Sequence, residues 1–459
     1  MRAASAFPRL TPRSGLALVV VSVVTASSLA AIGAARAEAD EIRYRNPETC
    51  DVVVEKFDRE KPGDIAEESW ATIGYRLKAG APIKRIETRF LVDIVRDASD
   101  SQSTAYRSAL SEMASGNFGA ARIQFGQVAG GGRMQDAEKG TIAFKPFSDA
   151  ASGKGKEKWY VDGAQFGYAK ASYLEGMSKN DLTLVDDALR ALDAESAGEK
   201  GFLVRYKEGK SRWYADAWLL KGRCQVALKK FDEATATFDG LYDKVLKTAA
   251  IGARFAYEAK LGAGQIAEAK GIAPDAAIAY ESAAAALQSL LEQATDNCSR
   301  ADLGRFYNEA RMQKARVMLD GATKNDAPTD FAQLRKYLEA GTPDGLRTKF
   351  AGKPKEFVDA VVAGALSPAV QAVAQNGIGL ALLNEKRYVE AVFAFVDVRI
   401  KYFSVASEVP RALYYLGRAA DAASAAATLP SAKALFKAQA DAARQELQRS
   451  WRESPWSKK

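Results

Sequence analysis

The feature that most constrains this chain is one segment that predicts two helices facing each other, WLLKGRCQVALKKFDEATATF. Trp218 and Gly222 are four residues apart, so the first helix presents a large side chain and, one turn later, a gap. Phe231, Ala234 and Phe238 recur at intervals of three and four, the spacing of a second helix's inner face. Because a hairpin of this size cannot bury its apolar face alone, we expect further helix pairs packed beside it.

The same pattern recurs along the chain. Gly379 lies nine residues before Tyr388, as Gly222 lies nine before Phe231. Residues 412–417 repeat the first-helix pattern. The second-helix triplet has two further copies, which are Phe118, Ala121 and Phe125, and Tyr388, Ala391 and Phe395. Residues 104–446 therefore predict a mainly α fold of irregular helix hairpins, interrupted by loop-like insertions at residues 130–155 and 341–355.

At these residues the chain resembles the tetratricopeptide-repeat family, whose pattern places a small residue on the first helix and aromatic-x-x-Ala-x-x-x-aromatic across the turn. The copy around Gly222 fits throughout, and the copy around Gly379 has Gln375 in place of the first aromatic. Residues 400–417 are also similar to the links between repeats in envelope proteins of this family, with Phe403 where those proteins usually have proline. The resemblance implies an α-solenoid, like those of the tetratricopeptide repeats, that binds protein or peptide partners.

Residues 40–97 have a different pattern. Short β-branched and aromatic runs are separated by breakers at residues 61–64 and 80–82, and residues 70–77 alternate with a period of two. This pattern predicts a small β-rich module of four strands and resembles the SH3-like modules that precede helical repeats in some exported bacterial proteins. Such a module either binds a peptide or cell-wall element or caps the first helix pair, and we favour the cap.

Residues 1–37 are typical of a secretory signal peptide. Arginines precede the uncharged run GLALVVVSVVTASSLAAI, and Ala35 and Ala37 are small residues at a peptidase site. The alternative is an uncleaved membrane anchor, because the run is nearly long enough to span a bilayer. We expect a periplasmic or secreted protein that meets the membrane only through this leader, if it is uncleaved.

The positive charge of the chain is partly due to the leader. Without residues 1–37 the net charge falls from +8 to +4. A basic tail remains at residues 447–459, where Trp451 and Trp456 are interleaved with arginines and lysines. We favour a solvated helix end and a loose terminus over contact with an acidic surface, and we expect no nucleic-acid partner.

Histidine is absent, and this excludes Ser-His-Asp and Cys-His catalysis and the usual zinc sites. Cys50, Cys224 and Cys298 allow at most one intrachain disulfide, and Cys224 falls within the first helix of the opening hairpin, where we expect it to be buried. The run SGKGKEKW lacks the spacing of a phosphate loop. The carboxylate pairs Asp186–Asp187 and Asp93–Asp97 are interpreted as solvated charges. We therefore predict no catalytic residue, cofactor or metal.

Four aromatic residues exceed what the repeat core needs and are the candidate partner-binding residues, namely Trp159, Tyr160, Trp213 and Tyr214. The predicted function is that of an exported scaffold for protein–protein interactions in the bacterial cell envelope, not an enzyme. The alternatives are a cell-wall glycan-acting enzyme and an architectural protein that binds an acidic polymer. The partner's identity and the oligomeric state stay open at this point.

Overall fold

The chain is mainly α-helical, with a β-rich region ahead of the helices. A computed structural model describes residues 41–57, 62–95, 101–135, 142–145, 147, 160–196, 199–248, 252–323 and 331–458, so the leader and Trp159 lie outside the described residues. The described part forms two compact units. We call residues 41–272 with 293–302 the N-terminal unit, and residues 273–292 with 303–458 the C-terminal unit.

The β-rich module consists of two antiparallel sheets in the N-terminal unit, with strand orders β2-β1-β6 and β3-β4-β5. Ile73 and Tyr75 point inward, as the period of two predicted. Its strands are β1 (Glu41–Arg45), β2 (Val52–Lys56), β3 (Pro62–Glu68), β4 (Thr72–Lys78), β5 (Lys84–Glu87) and β6 (Leu91–Val95).

The sequence predicted four strands, so two of the six, β3 and β5, were missed. β3 begins at Pro62, inside the predicted breaker, because a proline is tolerated as the first residue of an edge strand. β5 is only four residues long and begins at Lys84, directly after the second breaker.

The helices of the N-terminal unit pair as hairpins. Their bounds are α1 (Ser101–Ala114), α2 (Phe118–Ala129), α3 (Tyr160–Lys179), α4 (Leu182–Asp193), α5 (Phe202–Arg205), α6 (Tyr214–Ala227), α7 (Phe231–Lys247) and α8 (Ala253–Ala269). The predicted loop at residues 130–155 contains instead an antiparallel strand pair, β7 (Gly132–Gln135) and β8 (Ile142–Lys145). Gly132 leaves room for the Tyr168 ring, since an added Cβ would lie 2.3 Å from it. A two-residue pair, β9 (Glu195–Ser196) and β10 (Glu199–Lys200), follows α4.

The opening hairpin is α6–α7, and its packing is the predicted one. A Cβ added at Gly222 would lie 2.6 Å from the Phe238 ring, and one added at Gly262 of α8 would lie 2.3 Å from the same ring. Ala234 is fully buried. The two glycines therefore let α6 and α8 approach Phe238 from either side.

The turn of this hairpin is repeated. Gly116, Lys229 and Lys386 have φ of 79°, 59° and 63°, and each is followed by a residue whose φ lies between −83° and −86°. In each turn the next amide donates to a carbonyl five residues earlier, as Lys230 N does to Gln225 O at 2.8 Å. This is a Schellman closure, which satisfies the last carbonyls of the first helix.

The C-terminal unit contains further hairpins. Gly379 stands in the same relation to Phe395 as Gly222 does to Phe238, because an added Cβ would lie 2.8 Å from that ring. Its helices are α9 (Ala273–Gln293), α10 (Asn297–Thr323, whose first turn belongs to the N-terminal unit), α11 (Phe331–Glu339), α12 (Pro343–Lys349), α13 (Lys355–Ala365), α14 (Pro368–Asn384), α15 (Tyr388–Lys401), α16 (Val409–Ala426) and α17 (Pro430–Ser450).

The prediction of a loop at residues 341–355 was wrong, because α12 lies there. Thr342 caps this helix by accepting a hydrogen bond from Gly345 N at 3.2 Å, and Pro343 occupies its first turn. Leu346 and Phe350 are buried, so the segment has its own apolar anchor.

The tail was also misinterpreted. α17 extends past the predicted boundary at residue 446 and ends at Ser450. Trp456 then packs on Tyr414 and Tyr415, with ring centroids 5.5 and 5.6 Å apart, and the Arg411 guanidinium lies 5.3 Å from its ring. The described tail is therefore docked on α16 instead of loose, because its tryptophans gain more by burial than by exposure.

The cysteines form one disulfide and leave one free thiol, within the limit of one disulfide that the sequence set. Cys50 and Cys298 form a disulfide within the N-terminal unit, and Cys224 is free and fully buried in α6. Around the disulfide, Asn297 Nδ2 donates to Glu48 O at 2.8 Å and Arg45 forms an ion pair with Asp302 at 2.7 Å. The first turn of α10 is thus tied to the β-rich module.

Within the described ranges, no single helix is long and apolar enough to cross a membrane. The pair α13 and α14 passes this test only when taken together, by length and composition, and it is bent by 70°.

Candidate functional site

Two of the aromatic residues chosen from the sequence, Tyr160 and Tyr214, lie in the core. Tyr160 is 1% exposed and Tyr214 is 7% exposed. Trp213 is half-buried and stacks on Phe166, with ring centroids 5.4 Å apart. These three therefore pack inside the chain; Trp70 of the β-rich module meets Tyr214, and Phe166 of α3 meets Trp213. Trp159 lies outside the described residues.

Tyr214 takes part in the contact between the β-rich module and the helices of the N-terminal unit. Trp70 meets Tyr214 edge-on at 5.2 Å, and Trp70 N donates to Gly209 O at 2.9 Å. A Cβ at Gly209 would lie 2.0 Å from the Trp70 ring. Glu68 adds an ion pair with Arg212 at 3.3 Å. This close fit joins the β-rich module to the segment that leads into α6. The cap on the first helix pair stays a prediction.

A partly buried carboxylate lies at the same contact. Asp162 accepts hydrogen bonds from Ser211 Oγ at 2.6 Å and from Gly163 N at 2.7 Å. Burial and, after it, the negative charge of Glu68 raise the pKa of Asp162 to about 6. The group is held by its own chain and is not presented to a ligand.

Two of the carboxylates considered for catalysis, Asp187 and Asp93, accept hydrogen bonds within the chain. Asp187 is buried and accepts a hydrogen bond from Arg133 Nε at 2.5 Å. Asp93 accepts from Ile94 N at 2.8 Å, and Asp97 lies outside the described residues. In the part of the chain that the structure describes, no group of three or more acidic or cysteine side chains could hold a metal ion.

A surface with uncompensated charge is formed by α3 and α6, each the first helix of a hairpin, and by α8. α6 packs against both α3 and α8, so side chains from three helices meet. Arg223 of α6 pairs with Glu258 of α8 at 2.6 Å, and Arg254 of α8 pairs with Asp216 of α6 at 3.2 Å. Lys170 of α3 lies close enough to Asp216, Arg223 and Arg254 to interact with their charges. We call these five residues the first-helix face.

Lys170 is the distinctive member of this face. Its side chain is exposed, yet desolvation by the surrounding helices lowers its pKa, and the positive charges of Arg254 and Arg223 lower it further against the pull of Asp216. Among the described residues no carboxylate forms an ion pair with it. The two acidic residues of the face are neutralised by arginines, so the face carries one unbalanced positive charge.

Sequence reasoning missed the first-helix face because it searched for excess aromatics. A signal was present, since Lys170 is one of few charged residues in α3, whose other positions are mostly small or apolar. The pairing of Asp216 and Glu258 with arginines, which leaves Lys170 unbalanced, depends on contacts between hairpins.

Comparison with known proteins adds no assignment. No protein-family model matches the chain, and no curated protein matches it in sequence.

Proposed function

We propose that the protein is an exported helical-repeat scaffold, related in pattern to the tetratricopeptide repeats, that binds an acidic segment of another cell-envelope protein on the first-helix face. The observation that carries the proposal is Lys170, an exposed ammonium with no counter-ion among the described residues, surrounded by two internally neutralised ion pairs. A carboxylate from a partner would pair with Lys170 and neutralise the remaining positive charge of the first-helix face.

The energetics favour such a partner. Lys170 has already lost part of its hydration, so pairing it with a carboxylate costs little further desolvation. A hydrogen bond to a charged group contributes about 1.5–3 kcal/mol. Helices α3, α6 and α8 hold the face in place before binding, so little ordering entropy is lost.

Export is supported by two independent features. Residues 1–37 have the composition of a signal peptide, and the Cys50–Cys298 disulfide is of the kind that persists in oxidising compartments. A periplasmic or secreted scaffold accounts for both.

The test is affinity capture from crosslinked envelope extract with wild-type chain and two matched variants. Lys170→Glu reverses the unbalanced charge, and Lys247→Glu reverses an exposed lysine at the end of α7. We expect wild type and Lys247→Glu to recover the same partner, and Lys170→Glu to lose it. Equal recovery by all three, or recovery of nothing above background by wild type, would refute the proposal.

A further inference from the structure

A cleft of about 460 Å³ opens on the β-rich module, at the turn between β4 and β5. Its lining combines three apolar residues with three lysines, namely Leu77, Ala81, Pro82, Lys56, Lys78 and Lys84. The lysines come from the end of β2, the end of β4 and the start of β5. Clefts of this size, with an apolar lining and a few charged groups, are the usual form of a small-molecule site. We call it the lysine cleft.

The backbone of the lysine cleft is fixed by the β4–β5 turn. Gly80 has a φ of 79°, which glycine adopts without strain, and Ala81 N donates to Lys78 O at 3.1 Å. β4 and β5 are in register up to the pair formed by Tyr75 and Lys84. Lys78 and Lys84 are therefore held on the two arms of one hairpin, so a ligand would have little backbone to order.

One of the three lysines is already paired. Lys84 Nζ donates to Glu55 Oε2 at 3.0 Å, and the hydroxyls of Tyr44 and Tyr75 each donate to the same carboxylate at 3.0 Å. Burial opposes ionisation of Glu55, but these hydrogen bonds outweigh it and lower its pKa, so the carboxylate stays charged. The network positions Lys84 at the cleft and neutralises its charge.

The other two lysines keep their charge. In the ranges that the structure describes, Lys56 and Lys78 are exposed and neither forms an ion pair. The residue opposite Lys56 on the neighbouring strand is Glu41, which forms its ion pair with Arg43 instead. Two positive charges of the lysine cleft are therefore left without a counter-ion among the described residues.

We propose that the lysine cleft binds a phosphomonoester whose organic group is apolar. Two uncompensated ammonium groups match the charge of a phosphate ester, which is about −1.5 to −2 at pH 7. Lysine ammonium groups are point charges that suit a tetrahedral phosphate, whereas a planar carboxylate is better matched by the arginine fork. Leu77, Ala81 and Pro82 would cover the organic group, and burial of its apolar surface adds to the affinity. The site uses no residue of the first-helix face, so it stands apart from the proposed function.

Isothermal titration calorimetry of the full chain with naphthyl phosphate tests the proposal. We expect a Kd of about 0.1–2 mM for wild type. Lys56→Ala and Lys78→Ala should each raise Kd about five- to tenfold. The matched control is Lys145→Ala, which removes an exposed strand lysine of β8 outside the cleft and should leave Kd unchanged. Absence of binding by wild type, or a Kd that all three variants change equally, would overturn the proposal.

Two further probes test the charge and the apolar group separately. Naphthyl sulfate carries a single negative charge, and inorganic phosphate has no apolar group, so each should bind about five times more weakly than naphthyl phosphate. Equal affinity for the sulfate would contradict the match to a doubly charged ester. Equal affinity for inorganic phosphate would contradict the role of the apolar lining.

The ester could be a soluble molecule or the headgroup of a lipid, and cosedimentation with vesicles distinguishes the two sources. Phosphatidylcholine vesicles are used with and without phosphatidic acid, which is itself an apolar phosphomonoester. Cosedimentation that requires phosphatidic acid and is lost in Lys78→Ala would support a lipid source. Naphthyl phosphate binding without such cosedimentation would support a soluble one.

Discussion

Hairpin α6–α7 of the N-terminal unit and hairpin α14–α15 of the C-terminal unit place an aromatic ring over a glycine in the same way. Gly222 meets Phe238 and Gly379 meets Phe395, and the turns have αL lysines at Lys229 and Lys386. Their outer faces differ, since α7 carries aspartates at positions where α15 carries valine and isoleucine.

The difference separates two kinds of information in one sequence. Residues that recur between the hairpins are those that a helix pair needs in order to pack, and they are buried. Residues that change between the hairpins lie outside, where packing imposes little. In this protein the changing residues are therefore the ones to examine for binding.

The largest expected effect is a loss of stability in the N-terminal unit alone, which should separate the two hairpins. Replacing Cys50 and Cys298 together by serine should lower the free energy of unfolding of the N-terminal unit by about 2–4 kcal/mol, because the disulfide closes a loop between positions 248 residues apart and so restricts the unfolded chain. Hydrogen exchange read by mass spectrometry should show faster exchange in α6–α7 and unchanged exchange in α14–α15. Equal acceleration in both hairpins would contradict the assignment of the disulfide to one unit.

The second effect is a pH dependence in the N-terminal unit. Asp162 has a pKa of about 6 in the folded chain, whereas an unfolded aspartate titrates near 3.9. The folded state therefore binds more protons between these values, and stability falls as pH rises from about 4 to about 6. Asp162→Asn should remove this slope and add up to about 3 kcal/mol above pH 6.

The thermal midpoint of the N-terminal unit, followed from about pH 4.5 to pH 7.5, measures this dependence. The matched control is Asp232→Asn on the exposed face of α7. An unchanged slope in Asp162→Asn would mean that another group binds the proton.

The third prediction tests whether Gly222 and Gly379 have equivalent roles in their hairpins. Gly222→Ala and Gly379→Ala should each destabilise their hairpin by about 1–3 kcal/mol, because the new methyl group collides with Phe238 or Phe395. Gly321→Ala in α10 meets no atom within 4 Å and should be neutral or stabilising by about 0.5–1 kcal/mol. Thermal unfolding of the three variants gives the ranking. Loss in one hairpin only would show that the two glycines do not have equivalent roles.

The helix pairs could be predicted from the sequence because their signals are local. A small residue four positions after a bulky one, and aromatics at three and four, are determined within one hairpin, as at Gly222 and Phe238. The alternation of Ile73 and Tyr75 is equally local. The cap at Thr342 and Pro343 was also visible, but the glycines and lysines around it favoured a loop until the burial of Leu346 was known.

The candidate site could not be predicted, because it depends on contacts between hairpins. Tyr214 looked surplus because its neighbour Trp70 lies far away in sequence and belongs to the β-rich module. Lys170 looked ordinary because its charge is unbalanced only after Asp216 and Glu258 have paired with arginines. Residue type and period do not contain that information.

Cys224 is a native reporter of local opening around α6. The thiol is fully buried in α6, and burial raises its pKa, so a thiol reagent can reach and attack it only when the hairpin opens. The other two cysteines are consumed in the disulfide and do not compete for reagent. The rate of labelling of the native chain therefore reports how often α6 and its neighbours separate. A partner that binds across α3, α6 and α8 would slow that rate, so its binding can be followed at a native residue without an engineered cysteine.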